Sequence, residues 1–545
     1  MKSNFLLAFV FLISFGHDNL AQKISGQVID YDDNSGIAEA QVIVTNFTDN
    51  RVDTIFTDSG GYWEFSVITD IQSLELNNFS LFQNYPNPFN PSTKINFSLQ
   101  QAGNVSLSVY NILGELIDTK SAFLNSGSHS ITWEGKGSAG IYFYSLNVEG
   151  KTFTKKMVQL DGLNGKGFGE FQNSGSFLSK NLPSYSKISS AELSIEISKF
   201  GYVSDTLNFT LDFDKNILSK LRTIHSNSVM IDLHNDILEL MLENSDYHLA
   251  QLHNYNHTDI PRLKKGKVDV QFFAVWVNPN NYASNAFAKA NEMIDLFEAE
   301  IFSSANDIQK ALNFQDVISN VEANKISGII GVEGGHAIEN DLSKLVELYN
   351  RGMRYLTITW NNSTDWAVSA ADSRSATVGL SEFGKKVIRK MDSLGVIIDV
   401  SHTGIKTIKD ILEITKNPII ATHSGVRAIQ NHTRNLYDYQ IKDIANSGGV
   451  VGIVFYPPFL GSVSSLVDIE TVIKHIDYIK NLVGIDYVAI GSDFDGIGTN
   501  TVDGLEDVTK FPELTLALLK HGYTKEEVEK ILGGNFLRVF KSITK

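Results

Sequence analysis

Short stretches of strict apolar–polar alternation fill the first part of the chain. Gln41–Val42–Ile43–Val44–Thr45, Tyr62–Trp63–Glu64–Phe65–Ser66–Val67 and Val105–Ser106–Leu107–Ser108–Val109–Tyr110 repeat with period two and are rich in β-branched and aromatic side chains. With Gly, Asn and Asp between them, they predict half-buried strands of β-sandwiches from Lys23 to about Thr210. Asp58–Ser59–Gly60–Gly61 reads as a tight hairpin turn, because glycine accepts positive φ without a steric cost. After about Lys220 the pattern changes. The apolar runs Val229–Leu233, Val268–Val275, Ile326–Val332, Tyr355–Thr359, Val396–Val400, Pro418–Ala421, Val450–Phe455 and Tyr487–Gly491 predict strands covered on both faces. Between them Ala286–Glu300, Ser381–Ser393 and Asp468–Leu482 carry apolar residues at three- and four-residue spacing, as amphipathic helices do. Eight such units predict a (β/α)8 barrel over 222–545, and no Gly-rich phosphate turn of an open doubly wound sheet is present. The expected fold class is multidomain, with all-β sandwiches followed by an α/β TIM-type barrel.

The first residues carry a separate signal. Lys2 precedes an apolar run from Phe5 to Phe15, broken only by Ser14, and small residues lead to a cut after Ala21. This predicts a signal peptide over 1–21 and an exported protein that is periplasmic, cell-surface or secreted. As a helix the run rises ~16 Å, half of a ~30 Å hydrocarbon core, so an N-terminal anchor is the weaker reading.

Composition narrows the chemistry. Lys and Arg number 46 against 62 Asp and Glu, a formal charge of −16, which excludes a general nucleic-acid binder. With no cysteine, disulfides, zinc fingers, iron–sulfur clusters and a thiol nucleophile are excluded. Any transition metal must be held by His and carboxylate.

Barrels of this kind place reacting groups at the C-terminal ends of their strands. Every expected strand but the second ends in something polar or aromatic: Asp232–Leu233–His234–Asn235–Asp236, Glu333–Gly334–Gly335–His336, Trp360–Asn361–Asn362, Ser401–His402, Thr422–His423–Ser424, Phe455–Tyr456 and Ser492–Asp493–Phe494–Asp495–Gly496. His234 and Asp236, two apart on extended chain, project from one side. With Glu333, His402 and His423 they make three imidazoles and two carboxylates, a set too large for one closed structural zinc. It suits two divalent cations sharing a carboxylate, with open positions for water. Zinc fits these donors best, and Mn, Co or Fe are compatible by ligand type. His17, His129, His225, His248, His253, His257, His475 and His521 fall elsewhere and are assigned no chemistry. His336 is expected to support a ligand rather than to be one.

The strand-end motifs, together with His432–Thr433–Arg434–Asn435–Leu436, occur in an order that resembles the zinc-dependent membrane (renal-type) dipeptidases over about 222–545. The resemblance implies an exported binuclear zinc dipeptidase, with two Zn2+ per chain and a water between them attacking the peptide bond. It makes His234 and Asp236 ligands of one zinc, His402 and His423 ligands of the other, and Glu333 the bridge. Asp493 would handle protons, Arg434 would hold the substrate carboxylate, and Tyr456 and Trp360 would line the substrate site. Trp360 stands where the best-known members carry a substrate-binding histidine. Two other readings stay open: a related binuclear amidohydrolase acting on another amide or ester, and a surface binding protein with a relic barrel.

The first half carries two further resemblances. Ile24–Ser25–Gly26–Gln27–Val28, Ala40–Gln41–Val42–Ile43–Val44, Thr57–Asp58–Ser59–Gly60–Gly61–Tyr62–Trp63 and Leu193–Ser194–Ile195–Glu196–Ile197 with Phe200–Gly201–Tyr202 resemble a carboxypeptidase-regulatory-like sandwich, here 22–78 plus 185–214. Asn84–Tyr85–Pro86–Asn87–Pro88–Phe89–Asn90–Pro91, Tyr110–Asn111–Ile112–Leu113–Gly114, Gly140–Ile141–Tyr142–Phe143–Tyr144 and Lys155–Lys156–Met157 resemble the sorting module of type IX secretion substrates, here inserted at 79–160. Residues 161–184 are expected to be a flexible linker; one irregular β-domain is the alternative. The partners implied are dipeptides, a type IX-like secretion machinery and a second copy in a homodimer.

Overall fold

Alternation along the N-terminal strands becomes alternation of burial. In Gln41–Asn46 and Ser92–Leu99 every second side chain is buried, as a sheet with one covered face requires. The computed structural model describes residues 21–544 except 48–49, 69–78, 113, 161–162, 174–190, 212–213 and 283. Apart from Ala21, the expected signal peptide lies outside the described residues. The chain divides into two compact units, Met1–Lys199 with Ser204–Lys220, and Phe200–Val203 with Leu221–Lys545.

Among the described residues the first unit holds four sheets. One joins Lys215–Leu221, Ala21–Asp30 and Tyr62–Ile68, and another joins Asp205–Leu211, Ala191–Ser198, Gln41–Asn46 and Arg51–Phe56. The other two are built from strands between Phe79 and Asn173, around a core that includes Phe97, Leu107, Trp133 and Tyr144. Two local expectations change. Asp58–Gly61 does not close a hairpin: Arg51–Phe56 and Tyr62–Ile68 belong to different sheets, so the turn carries the chain between them. Gly61, at φ +77, has its would-be Cβ position 2.1 Å from the Val28 carbonyl oxygen, so the turn requires glycine. Within 161–184, Leu163–Phe168 and Gln172–Asn173 are short strands paired with Gly127–Gly137 rather than linker, because open edge N–H and C=O groups there accept the chain.

The second unit is a nearly closed barrel of eight parallel strands: Ile231–Asp232, Val270–Trp276, Ile326–Glu333, Met353–Thr357, Ile397–Asp399, Ile419–Ser424, Val451–Ile453 and Val488–Ile490. An extra short strand, Ile308–Lys310, pairs with the third. Closure runs through Leu233 N–H to the Ile490 carbonyl at 3.1 Å and through Asp232. The Asp232 carboxylate accepts from Ser492 N, Ser492 Oγ and Gln271 Nε2 at 2.7, 2.7 and 2.9 Å. The first strand is shorter than its apolar run because Met230 N–H turns to the Asp269 side chain, 2.8 Å away. Helices cover the outside. Glu382–Leu394 starts at Ser381, whose hydroxyl accepts Gly384 N–H, ends at Gly395 in the left-handed region, and buries Val387, Ile388 and Met391. Inside, Ile231, Val270, Phe272, Tyr355 and Ile397 pack with Phe536 and Phe540 of the C-terminal helix Asn535–Ile543. That helix fills the barrel beneath the site, so the reacting groups rest on a solid core.

Candidate metal centre and active site

The five expected ligands are carried to the same mouth by the ends of four strands or by the turns after them. His234 and Asp236 follow the first strand, Glu333 ends the third, His402 follows the fifth and His423 lies in the sixth. His234 Nε2 is 3.3 Å from Asp236 Oδ2 and 3.4 Å from Glu333 Oε2. Glu333 Oε1 is 3.0 Å from His402 Nε2 and 3.6 Å from His423 Nε2. His234, Glu333 and His423 form one group with donor atoms within 4.8 Å of each other, and His234, Asp236 and Asp493 form a second. All five expected ligands therefore meet in one buried cluster.

The imidazoles are oriented from behind. His402 Nδ1 faces Asn361 Oδ1 at 2.9 Å, which as a carbonyl oxygen can only accept, so the ring proton is on Nδ1. His423 Nδ1 faces Thr422 Oγ1 at 2.8 Å, and that hydroxyl spends its own proton on Asp399 Oδ2 at 2.8 Å. His234 Nδ1 pairs with the Tyr355 hydroxyl at 2.9 Å. Asp399 accepts as well from Thr357 Oγ1, Ser401 N and Thr422 N, tying three strand ends together. The Nε2 lone pairs of His402 and His423 are thus left facing the cluster.

The donor atoms fit divalent cations. His234 Nε2, Asp236 Oδ1 and Glu333 Oε1 are buried without a hydrogen-bond partner, which is costly unless a cation supplies one. Burial, reinforced by the Arg434 guanidinium, pushes His402 down to about 4. Burial, His234 and Arg434 hold His423 well below the ordinary histidine range, so both rings are neutral, the form that binds metal. Burial and the adjacent Asp236 carboxylate hold Asp493 well above the usual carboxylate range. His402, Asp493 and Asp495 are non-glycine residues with φ of 64, 64 and 68°, strained backbone of the kind that concentrates at functional sites.

The remaining expected residues, Arg434, Tyr456, Trp360 and Asp493, line one cavity of about 320 Å³ together with Asp236, Glu333 and His402. Arg434 is buried. Its Nη2 donates to the His423 carbonyl at 3.2 Å, while Nε and Nη1 have no partner. Trp360 lies against His402, ring centroids 6.2 Å apart, and against Trp276 at 4.9 Å. Sequence reasoning passed over Trp276, the last residue of the second strand, and so treated that strand alone as ending without a site residue. It also passed over Glu239 in the helix Ile237–Glu243. Both line the cavity. Burial first, then the carboxylates of Asp236, Glu243 and Glu333, push Glu239 up to about 8. Among the histidines set aside, His257 Nδ1 accepts Asp495 N–H at 2.9 Å and so supports the last loop. His336 bonds the Val277 carbonyl rather than a ligand.

A parallel barrel with histidines and carboxylates gathered at its C-terminal mouth defines a metal-dependent hydrolase. Residues 218–545, more than half of the chain, match the family model of the membrane dipeptidases (peptidase family M19), and the chain belongs to that family. It is a metal-dependent peptide hydrolase. Residues 83–159 match the secretion system C-terminal sorting domain. Among solved structures, the metallopeptidase dipeptidase AC is 29% identical with a TM-score of 0.55, over 58% of this chain and 99% of that one. A Rhodobacter sphaeroides metallopeptidase bound to a phosphinate mimic of the dipeptide L-Ala-D-Ala is 27% identical with a TM-score of 0.55, over 58% and 100%. A probable dipeptidase from Pseudomonas aeruginosa, 23% identical with a TM-score of 0.55 over 59% and 96%, shares the fold.

Proposed function

We propose that the barrel is a binuclear dipeptidase and that zinc is the cation its donors suit best. One observation carries the reading. Three imidazoles and two carboxylates converge on one buried cluster, and a guanidinium with two unpaired donor groups opens onto the same cavity. The phosphinate mimic of L-Ala-D-Ala held by the Rhodobacter enzyme supports a dipeptide as the substrate class.

His234 and Asp236 would hold one cation, His402 and His423 the other, and Glu333 both. Bound there, such a pair acidifies a water molecule and draws charge from the scissile carbonyl. The chain's own residues supply the rest. Arg434 takes the substrate's terminal carboxylate through its guanidinium, so the bond cut lies one residue from that end. Asp493 receives the proton of the attacking water and passes it to the leaving amine. Trp360 and Tyr456 wall the cavity and limit water around the developing charge.

Export rests on two features, the sorting-domain match and the apolar run Phe5 to Phe15. Among the described residues no helix is long and apolar enough to cross a membrane. The test of the whole reading is an assay on L,L and L,D dipeptides with chelation and zinc add-back. Turnover that falls with chelation and returns with zinc supports it. A protein active on a phosphotriester and on no dipeptide contradicts it.

A further inference from the structure

The end of the cleft away from Arg434 has no assigned role, and any role in substrate selection there rests on the dipeptidase reading. Three cavities adjoin at the barrel mouth. The central one shares His402 and Arg434 with a small cavity on one side, and Glu239 and Trp276 with another of about 300 Å³. Arg434 and Glu239 therefore stand where the central cavity meets two different neighbours. If Arg434 holds the C-terminal carboxylate, the N-terminal residue lies toward Glu239.

The Glu239 side chain has no hydrogen bond or ion pair among the described residues, and the ionisable groups acting on it are the carboxylates of Asp236, Glu243 and Glu333. The side cavity beyond it is lined by Glu243 and Glu292 against a single ammonium, Lys289, which is already paired with Glu292 and lies over the Tyr282 ring. Its apolar walls are Trp276, Leu242 and Met293. A carboxyl group that lacks a cation, and that a cationic guest would bring to its charged form, stands at the mouth of a cavity with an apolar lining and further carboxylates; this matches a side chain with an aliphatic stem and a cationic end. We propose that this side cavity takes the side chain of the substrate's N-terminal residue and that Glu239 selects a lysyl or arginyl group there.

The experiment compares kcat/KM of the metal-loaded full chain on lysyl-alanine, arginyl-alanine, norleucyl-alanine and glutamyl-alanine. Norleucine keeps the stem and the α-ammonium but removes the side-chain charge, so it separates side-chain selection from recognition of the free amine. The two basic dipeptides are expected to exceed norleucyl-alanine about tenfold or more, with glutamyl-alanine slowest. Glu239→Gln is expected to bring the lysyl-to-norleucyl ratio near unity, and Glu239→Asp to keep part of it. Product inhibition of the unsubstituted enzyme by L-lysine against L-norleucine gives the same comparison should a variant not fold. An active enzyme that cleaves norleucyl-alanine as well as lysyl-alanine overturns the proposal alone, as does a ratio unchanged in Glu239→Gln. A protein that cleaves none of the four overturns it together with the dipeptidase reading.

Discussion

The Nε2 atoms of His402 and His423 face each other at 3.1 Å, and each ring has its Nδ1 turned to an oxygen behind it. Two neutral imidazoles so arranged present lone pair to lone pair, with no proton between them. Glu333 Oε1 adds a third electron-rich atom 3.0 Å from His402 Nε2. A cation in the space the lone pairs share would relieve their repulsion, and the partners Asn361 and Thr422 hold the rings ready for one.

Arg434 gives the first prediction. Arg434→Ala should lower kcat/KM about 100-fold, mainly through KM, because a charge-assisted pair with the substrate carboxylate is lost. Kinetics on a dipeptide and its C-terminal amide check the cause. The parent enzyme should prefer the free acid strongly, and the variant should treat the two alike.

For Asp493 the effect falls on the chemical step. Asp493→Asn removes the proton acceptor while keeping shape, so kcat should drop about 100- to 10,000-fold with KM nearly unchanged. Metal content measured on the same sample should stay at the parent level. A variant that loses metal as well would make Asp493 a ligand instead.

Asp232 tests the closure of the barrel. Its two oxygens accept three hydrogen bonds, from the segment after the eighth strand and from the second strand. Asp232→Ala leaves those donors buried and unpaired and should cost about 2–4 kcal/mol in denaturant unfolding of the barrel. Asp232→Asn should fall between, since an amide keeps one acceptor and sets an N–H against a donor.

His475 supplies the pH dependence. Val426 N–H donates to its Nδ1 at 3.0 Å and its Nε2 faces the Leu460 carbonyl at 3.1 Å, so the neutral ring is satisfied on both sides. Burial pushes it down to about 4, against 6.5 ordinarily. Between those values the unfolded chain takes up a proton that the folded chain refuses. Stability from this residue is therefore complete above pH ~6.5 and is lost as pH falls toward ~4, at up to about 1.4 kcal/mol per pH unit. Unfolding of His475→Gln followed across that window should show a shallower slope than the parent.

The candidate ligands were legible because metal chemistry restricts residue type and barrel topology restricts position: a His or Glu at the end of a strand is informative in one dimension. The groups that aim them were not. Tyr355 sits inside a fully buried strand and reads as core, yet its hydroxyl meets His234. Thr422 and Asn361 are ordinary polar neighbours of a histidine and of a tryptophan until the fold sets them behind a ring. Trp276 continues the apolar run of its strand, so nothing separated it from Val275. Glu239 reads as the solvated face of a short helix, and only because that helix starts at Asp236 does its first turn lie over the cleft. In the first half, period two predicted strands correctly but not which sheet each joins, since turn chemistry at Asp58–Gly61 is the same within a sheet and between sheets.

Counting bound metal in the purified chain, alone and after His402→Ala, decides whether these side chains form a working binuclear centre. About two divalent cations per chain are expected in the parent. In the variant about one is expected, with dipeptide turnover reduced about 1,000-fold or more. A parent chain that binds no divalent cation yet hydrolyses dipeptides, or a His402→Ala chain that keeps both cations and full turnover, would contradict the binuclear reading.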